Sequence, residues 1–238
     1  MLPEQATVSS LADSRRLTHV TAAACLALLI SLHFSFITGV VVAKVLASTG
    51  FIAVAVACGA LQSTYGRILL AGLCCSWFGD MFLVSQSERV FLYGLVAFLL
   101  GHLAYIAAFI SLGLDRRWLL LTAMPLAAAA ILVLRWLAPH VPQPLFYPVV
   151  TYTIVISVMV LTALGARGKG APFIVALGAL LFYFSDLSVA MLRFVDRDAA
   201  AFFWGLPFYY GAQLLLAHSV AAVSGSTTDS EPSRENAA

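Results

Sequence analysis

The sequence predicts an all-α polytopic membrane protein, with about eight transmembrane helices in an up-and-down bundle. Three observations predict it. The chain of 238 residues is 62% hydrophobic and 10% charged, with a mean hydropathy of +0.97. A soluble domain of this size has too little interior for that much apolar surface. The apolar runs are long and do not alternate as barrel strands do, so helices must satisfy the backbone polar groups within lipid.

The elements follow in order. Residues 1–16 are polar, end in Arg15-Arg16 and are expected to form a mobile cytoplasmic tail. The apolar run behind them resembles a signal peptide, but it is long enough to span and other spans follow at once, so it is read as retained. Spans are expected at 17–36, 40–61, 66–85, 90–111, 117–137, 145–165, 171–194 and 203–223, making 17–223 the membrane domain. The weakest boundary is "SLHFSFITG", between the first two. The segment 224–238 is rich in Ser, Thr and Glu and reads as a disordered tail.

Arginine and lysine set the orientation. With the N-terminus inside, cytoplasmic segments carry eight basic residues, Arg15, Arg16, Arg67, Arg116, Arg117, Arg167, Lys169 and Arg234, and extracytoplasmic connections carry four, Arg89, Arg135, Arg193 and Arg197. Both termini are therefore expected in the cytoplasm. The Ala, Leu, Val and Arg usage points to a bacterial inner membrane. The net charge of +2 gives no basis for a nucleic-acid partner. Cys25, Cys58, Cys74 and Cys75 all fall in apolar runs and read as small hydrophobes. The histidines are dispersed, and neither metal nor other cofactor is expected.

Two stretches share a pattern: "GLCCSWFGD" at 72–80 and "GALLFYFSD" at 178–186. Each has Gly first, Phe seventh and Asp ninth. They fall in spans three and seven, as two parallel four-helix repeats would require. Convergent use of Gly and Phe in membrane helices explains them as well.

A charge near the bilayer centre costs about 2.5–3.5 kcal/mol on insertion scales, so intramembrane charges face protein or water and carry function by default. Here they are Lys44, Asp80 and Asp186. Ser76, His102, Tyr105, Tyr209 and Gln213 are cheaper polar companions. Lys44 is near the start of span two, Asp80 near the end of span three, and Asp186 in the later part of span seven. Tyr209 and Gln213 are in the first half of span eight, and His102 is near the middle of span four. In an alternating bundle these places lie between the midplane and one surface, the extracytoplasmic one in this orientation. Gly72, Ser76 and Asp80 share one helical stripe, as do Gly205, Tyr209 and Gln213, while His102 and Tyr105 share a face.

Each group also has a bland reading. Ser76, Tyr105, Tyr209 and Gln213 suit interhelical hydrogen bonds, and His102 suits a packing histidine. Lys44 could pair with an Asp only to orient helices, or snorkel. The chemical reading is that two neighbouring carboxylates in low dielectric act as acid and base at one pH.

"GLCCSWFGDMFL", "GLVAFLLGHLAYI", "GALLFYFSDLSVA" and "YYGAQLLLAHS", in this order, resemble the YhhN-type lysoplasmalogenase family. The resemblance runs from the Lys44 region to span eight. The family has Lys-Pro in span two, whereas Lys44 is followed by Val45, and span eight matches loosely around Gln213. The resemblance implies an eight-span enzyme that hydrolyses the vinyl ether of lysoplasmalogens. Its products are a fatty aldehyde and glycerophosphocholine or glycerophosphoethanolamine. The partners implied are a lysophospholipid in the bilayer and water. Asp80 and Asp186 would be catalytic, and Lys44 would bind phosphate or tune an Asp. His102 and Tyr105 would orient water or head group.

Three other classes compete. "FGD" resembles the element of intramembrane aspartyl proteases, but its first glycine is missing and the acids lie four spans apart. A proton-coupled transporter suits buried acids and a lysine. A lipid-binding structural protein would use the acids for stability.

Overall fold

The structure, a computed structural model, describes residues 3–85, 87–196 and 200–228. These residues form eight α-helices and short 3-10 and π turns, with no strand among them. The helices are α1 (Pro3–His33), α2 (Ile37–Ala57), α3 (Thr64–Phe82), α4 (Glu88–Ser111), α5 (Arg116–Leu137), α6 (Gln143–Gly168), α7 (Phe173–Ala190) and α8 (Phe202–Thr228). Every expected span coincides with one of them. This is a helical, multi-pass membrane protein: among the described residues six helices are long and apolar enough to cross a bilayer. The two others, α3 and α8, are diluted by polar residues, among them Ser76 and Asp80 in α3 and Tyr209 and Gln213 in α8.

Local chemistry explains the boundaries. Pro3 opens α1, and nothing from Glu4 to Arg16 breaks a helix, so α1 runs on through the stretch read as a tail. The expected break in "SLHFSFITG" occurs at Ser35, whose φ of 54° reverses the chain without a glycine. Ser63 caps α3 by accepting from the Gly66 amide at 3.0 Å. Asp115 caps α5 by accepting from the amides of Arg117 and Trp118. Helix α7 continues into a π turn, Met191–Val195. Helix α8 passes the expected boundary at 224 and reaches Thr228. The remainder of that expected tail, 229–238, lies outside the described residues, as do Arg197 and Asp198.

Helices adjacent in sequence pack as hairpins: α1 with α2, α3 with α4, α5 with α6 and α7 with α8. Further contacts of α2 with α3, α4 with α6, α6 with α7, and α8 with α1 and α2 close seven helices into a ring. Helix α5 stands outside it against α6. Leu120, Leu121, Met124, Ile131 and Leu132 are exposed along α5, as lipid-facing positions are.

The two matched stretches serve alike. Gly72 and Gly178 both sit against the next helix. A Cβ at Gly72 would meet the Tyr105 ring at 2.5 Å, and one at Gly178 would meet Leu216 at 3.0 Å. Phe78 and Phe184 both face outward. The likeness belongs to the α3–α4 and α7–α8 hairpins. It does not extend to α1 and α5, since α1 packs on α2 and α8 whereas α5 is fastened to α6.

Candidate functional site

A cavity of about 480 Å³ opens at one end of the bundle. All eight helices line it, each with its part nearest that end. The odd-numbered helices supply their last turns, such as Leu32, Asp80 and Leu137, and the even-numbered ones their first two turns, such as Phe91, Val149 and Phe202. Polar groups are few in this apolar wall. Lys44, Asp80, Tyr152, Asp186 and Tyr209 lead them. The depth inferred from the sequence thus brings Lys44, both acids and Tyr209 to one chamber.

Asp80 is 3% exposed and fully engaged. Its Oδ2 accepts from Ser48 Oγ and from the Tyr209 hydroxyl, each at 2.6 Å. Lys44 Nζ stands 3.5 Å from its Oδ1. The Lys44 side chain is 12% exposed, so it turns inward instead of snorkelling. The Ser48 hydroxyl also lies 3.3 Å from that of Tyr210. Cation and hydroxyl donors together are what a buried carboxylate anion requires.

Asp186 has different company. Its Oδ2 accepts from the Tyr152 hydroxyl at 2.6 Å and lies 3.1 Å from His102 Nε2. Among the described residues its Oδ1 has no hydrogen-bond partner, and the side chain is 16% exposed. His102 is wholly buried, edge-on to Phe182 at 4.7 Å, and its Nδ1 has no partner. A proton on Nε2 makes the ring a donor to Asp186 and leaves only a bare Nδ1 lone pair unsatisfied. No hydrogen bond links the two carboxylates. They face one chamber with separate supports.

The remaining candidates lie behind the wall. The Tyr105 hydroxyl donates to Gln213 Oε1 at 2.8 Å and stands 3.3 Å from Ser76 Oγ. All three are buried and join α3, α4 and α8. They do not line the cavity, and neither does His102, which reaches it through Asp186. Three partners escaped the sequence reading: Ser48, Tyr152 and Tyr210. Two had a signal. Ser48 is one turn beyond Lys44 on the same stripe, and Tyr152 is in the first half of span six, at the depth shared by the others.

Comparison with known proteins agrees in where the likeness falls. A model of the YhhN family matches residues 39–220, which hold both carboxylates and every polar partner described for them. A lysoplasmalogenase of Mycobacterium bovis is 35% identical over 161 residues, covering 63% of this chain and 59% of its own. Lysoplasmalogenase TMEM86A of Bos taurus is 29% identical over 157 residues, covering 63% and 64%. Lysoplasmalogenase TMEM86B of Mus musculus is 33% identical over 149 residues, covering 63% and 61%. The chain thus matches somewhat less than two thirds of the length of these relatives. No solved structure matches it. On the strength of the match across residues 39–220, the chain belongs to the YhhN family.

Proposed function

We propose that the protein is an integral membrane hydrolase that cleaves the vinyl ether bond of lysoplasmalogens. The products are a fatty aldehyde and a glycerophospho head group, choline or ethanolamine. The observation that carries this reading is one apolar chamber with two carboxylates in unlike settings. The relatives' activity and the fit of a single alkyl chain to such a wall support it.

The reaction needs a neutral acid, an anion and water. The acid protonates the double-bond carbon farther from oxygen and leaves an oxocarbenium ion. Asp186 is suited to this task, because Oδ1 is free while Oδ2 is held. Once its proton has gone, Tyr152 and His102 donate to the carboxylate that forms, as preorganised donors should. Asp80, kept ionised by Lys44, Ser48 and Tyr209, steadies the cation. Water adds to the carbon bonded to oxygen and gives its proton to Asp186. The hemiacetal then collapses to aldehyde and free glycerol hydroxyl, and the acid is restored.

All eight helices are read as spans, including α3 and α8, whose polar groups face inward. Both termini lie in the cytoplasm, and the cavity opens to the outer half of a bacterial inner membrane. N- and C-terminal segments flank a single membrane domain.

The test is aldehyde release from lysoplasmenylcholine and lysoplasmenylethanolamine by the purified protein in detergent, beside an acyl lysophospholipid. Release from the vinyl ethers alone is expected. Folded protein that releases nothing, yet moves protons in liposomes, would point to a transporter instead.

A further inference from the structure

Beside the apolar cavity lies a second pocket of about 270 Å³, lined by Glu88, His140, Pro142, Leu145, Arg193, Phe194 and Val195. Phe194 lines both chambers. The second pocket lies at the same end of the bundle, beyond the acids. Glu88 starts α4, His140 sits in the turn between α5 and α6, and Arg193 lies within the π turn after α7. From the sequence Glu88 and Arg193 read as ordinary charges of the connections. Their placement says more.

Arg193 is held but not neutralised. Its guanidinium stands 4.4 Å over the Phe91 ring, and Phe91 packs edge-on against Phe194. Among the described residues neither Arg193 nor Glu88 forms an ion pair, although both line one pocket. A cation fixed by stacking keeps its five donors for a planar or tetrahedral anion. A π turn re-aims side chains and recurs at functional sites.

We infer that this second pocket is the head-group site, taking a zwitterionic phosphoester: Arg193 holds the phosphate and Glu88 the ammonium. This deepens the lysolipid reading above and rests on it. Asp186 and Arg193 are seven residues apart, and the chain between them stays helical through the end of α7 into the π turn, so about two turns, on the order of 10 Å, separate them along the axis. A glycerol bridge and the reach of an arginine side chain span that interval. The vinyl ether then meets Asp186 while the phosphate meets Arg193, and the alkyl chain fills the apolar chamber. Lys44, paired with Asp80, is left to the chemistry. A site with one cation and one anion separates zwitterionic lysolipids from purely anionic ones, because Glu88 repels a second negative charge.

Binding is measured first with 1-O-alkyl lysophospholipids, which carry the head group but no vinyl ether, so turnover plays no part. Arg193→Gln is expected to weaken the ethanolamine and choline forms about tenfold or more. It should leave 1-O-alkylglycerol, which has no phosphate, unchanged. Glu88→Lys is expected to shift preference toward 1-O-alkylglycerol phosphate, a gain that a misfolded variant cannot show. Wild-type affinities in both variants, or an equal loss for alkylglycerol, would overturn the assignment. Free glycerophosphoethanolamine serves as the competitor that separates capture of a soluble phosphoester from capture of the lipid. Strong competition at low concentration would place the specificity in the head group alone and would contradict the joint use of both chambers. If wild type binds the analogues as expected but hydrolyses no vinyl ether, the head-group site stands and the reaction assignment falls.

Discussion

Tyr152 and His102 reach the same oxygen of Asp186, at 2.6 and 3.1 Å, and leave the other oxygen to the cavity. Asp80 is supported from both sides, with Lys44 at Oδ1 and two hydroxyls at Oδ2. This asymmetry predicts unequal responses to conservative changes. In the proposed mechanism, Tyr152→Phe removes a hydrogen bond to a charge that develops in the transition state. It should lower kcat about tenfold to a hundredfold with little change in KM. Steady-state kinetics on a vinyl ether lysolipid checks this. An equal rise in KM with kcat intact would place Tyr152 in binding only. Lys44→Met strands the Asp80 carboxylate, and breaking a buried pair costs about 3–5 kcal/mol. The double variant Lys44→Met/Asp80→Asn should therefore melt at a higher temperature than Lys44→Met alone, while both lose activity. Thermal unfolding in detergent reads the order of the two. The charged members of this set were legible in the sequence because charge stands out in an apolar run. Ser48 and Tyr152 were less so: a hydroxyl in a membrane helix can satisfy itself within the helix and draws no attention by cost.

Helices α3 and α4 approach closely because glycines face each other. A Cβ at Gly101 would lie 3.1 Å from the Gly72 carbonyl oxygen, and one at Gly72 would lie 2.5 Å from the Tyr105 ring. That ring carries the hydroxyl tied to Gln213 and Ser76. Gly72→Ala should therefore destabilise the protein by about 1–3 kcal/mol, as overpacking does. It should also lower activity without touching a cavity residue. The melting temperature and kcat of the variant test this together. A normal melting temperature with normal turnover would mean that the helices can part without consequence. The glycine stripe was visible in the sequence, and so was its small-residue logic. Its partner was not, since Gly101 becomes meaningful only once α4 is known to lie against α3.

Across the whole molecule, hydropathy fixes which segments enter lipid but not which become neighbours. The eight helices were therefore foreseeable, whereas the seven-membered ring and the outlying α5 were not. Depth carried further than pattern. Counting residues from each span's end was enough to gather Lys44, Asp80, Asp186 and Tyr209 at one end, because alternating helices put odd ends and even beginnings together. The same count predicts which face is wet. In a cysteine-free background, His140→Cys should react with an impermeant thiol reagent from outside intact cells, and Lys169→Cys only after permeabilisation. The reverse pattern would invert the bundle and move the cavity to the cytoplasmic half.

The most direct test of the central claim is turnover in heavy water. If Asp186 protonates the vinyl ether, the released aldehyde must carry one deuterium on the carbon beside the carbonyl, delivered to a single face. Asp186→Asn, though folded, must release none. Aldehyde without that deuterium, or undiminished release by Asp186→Asn, would contradict the account.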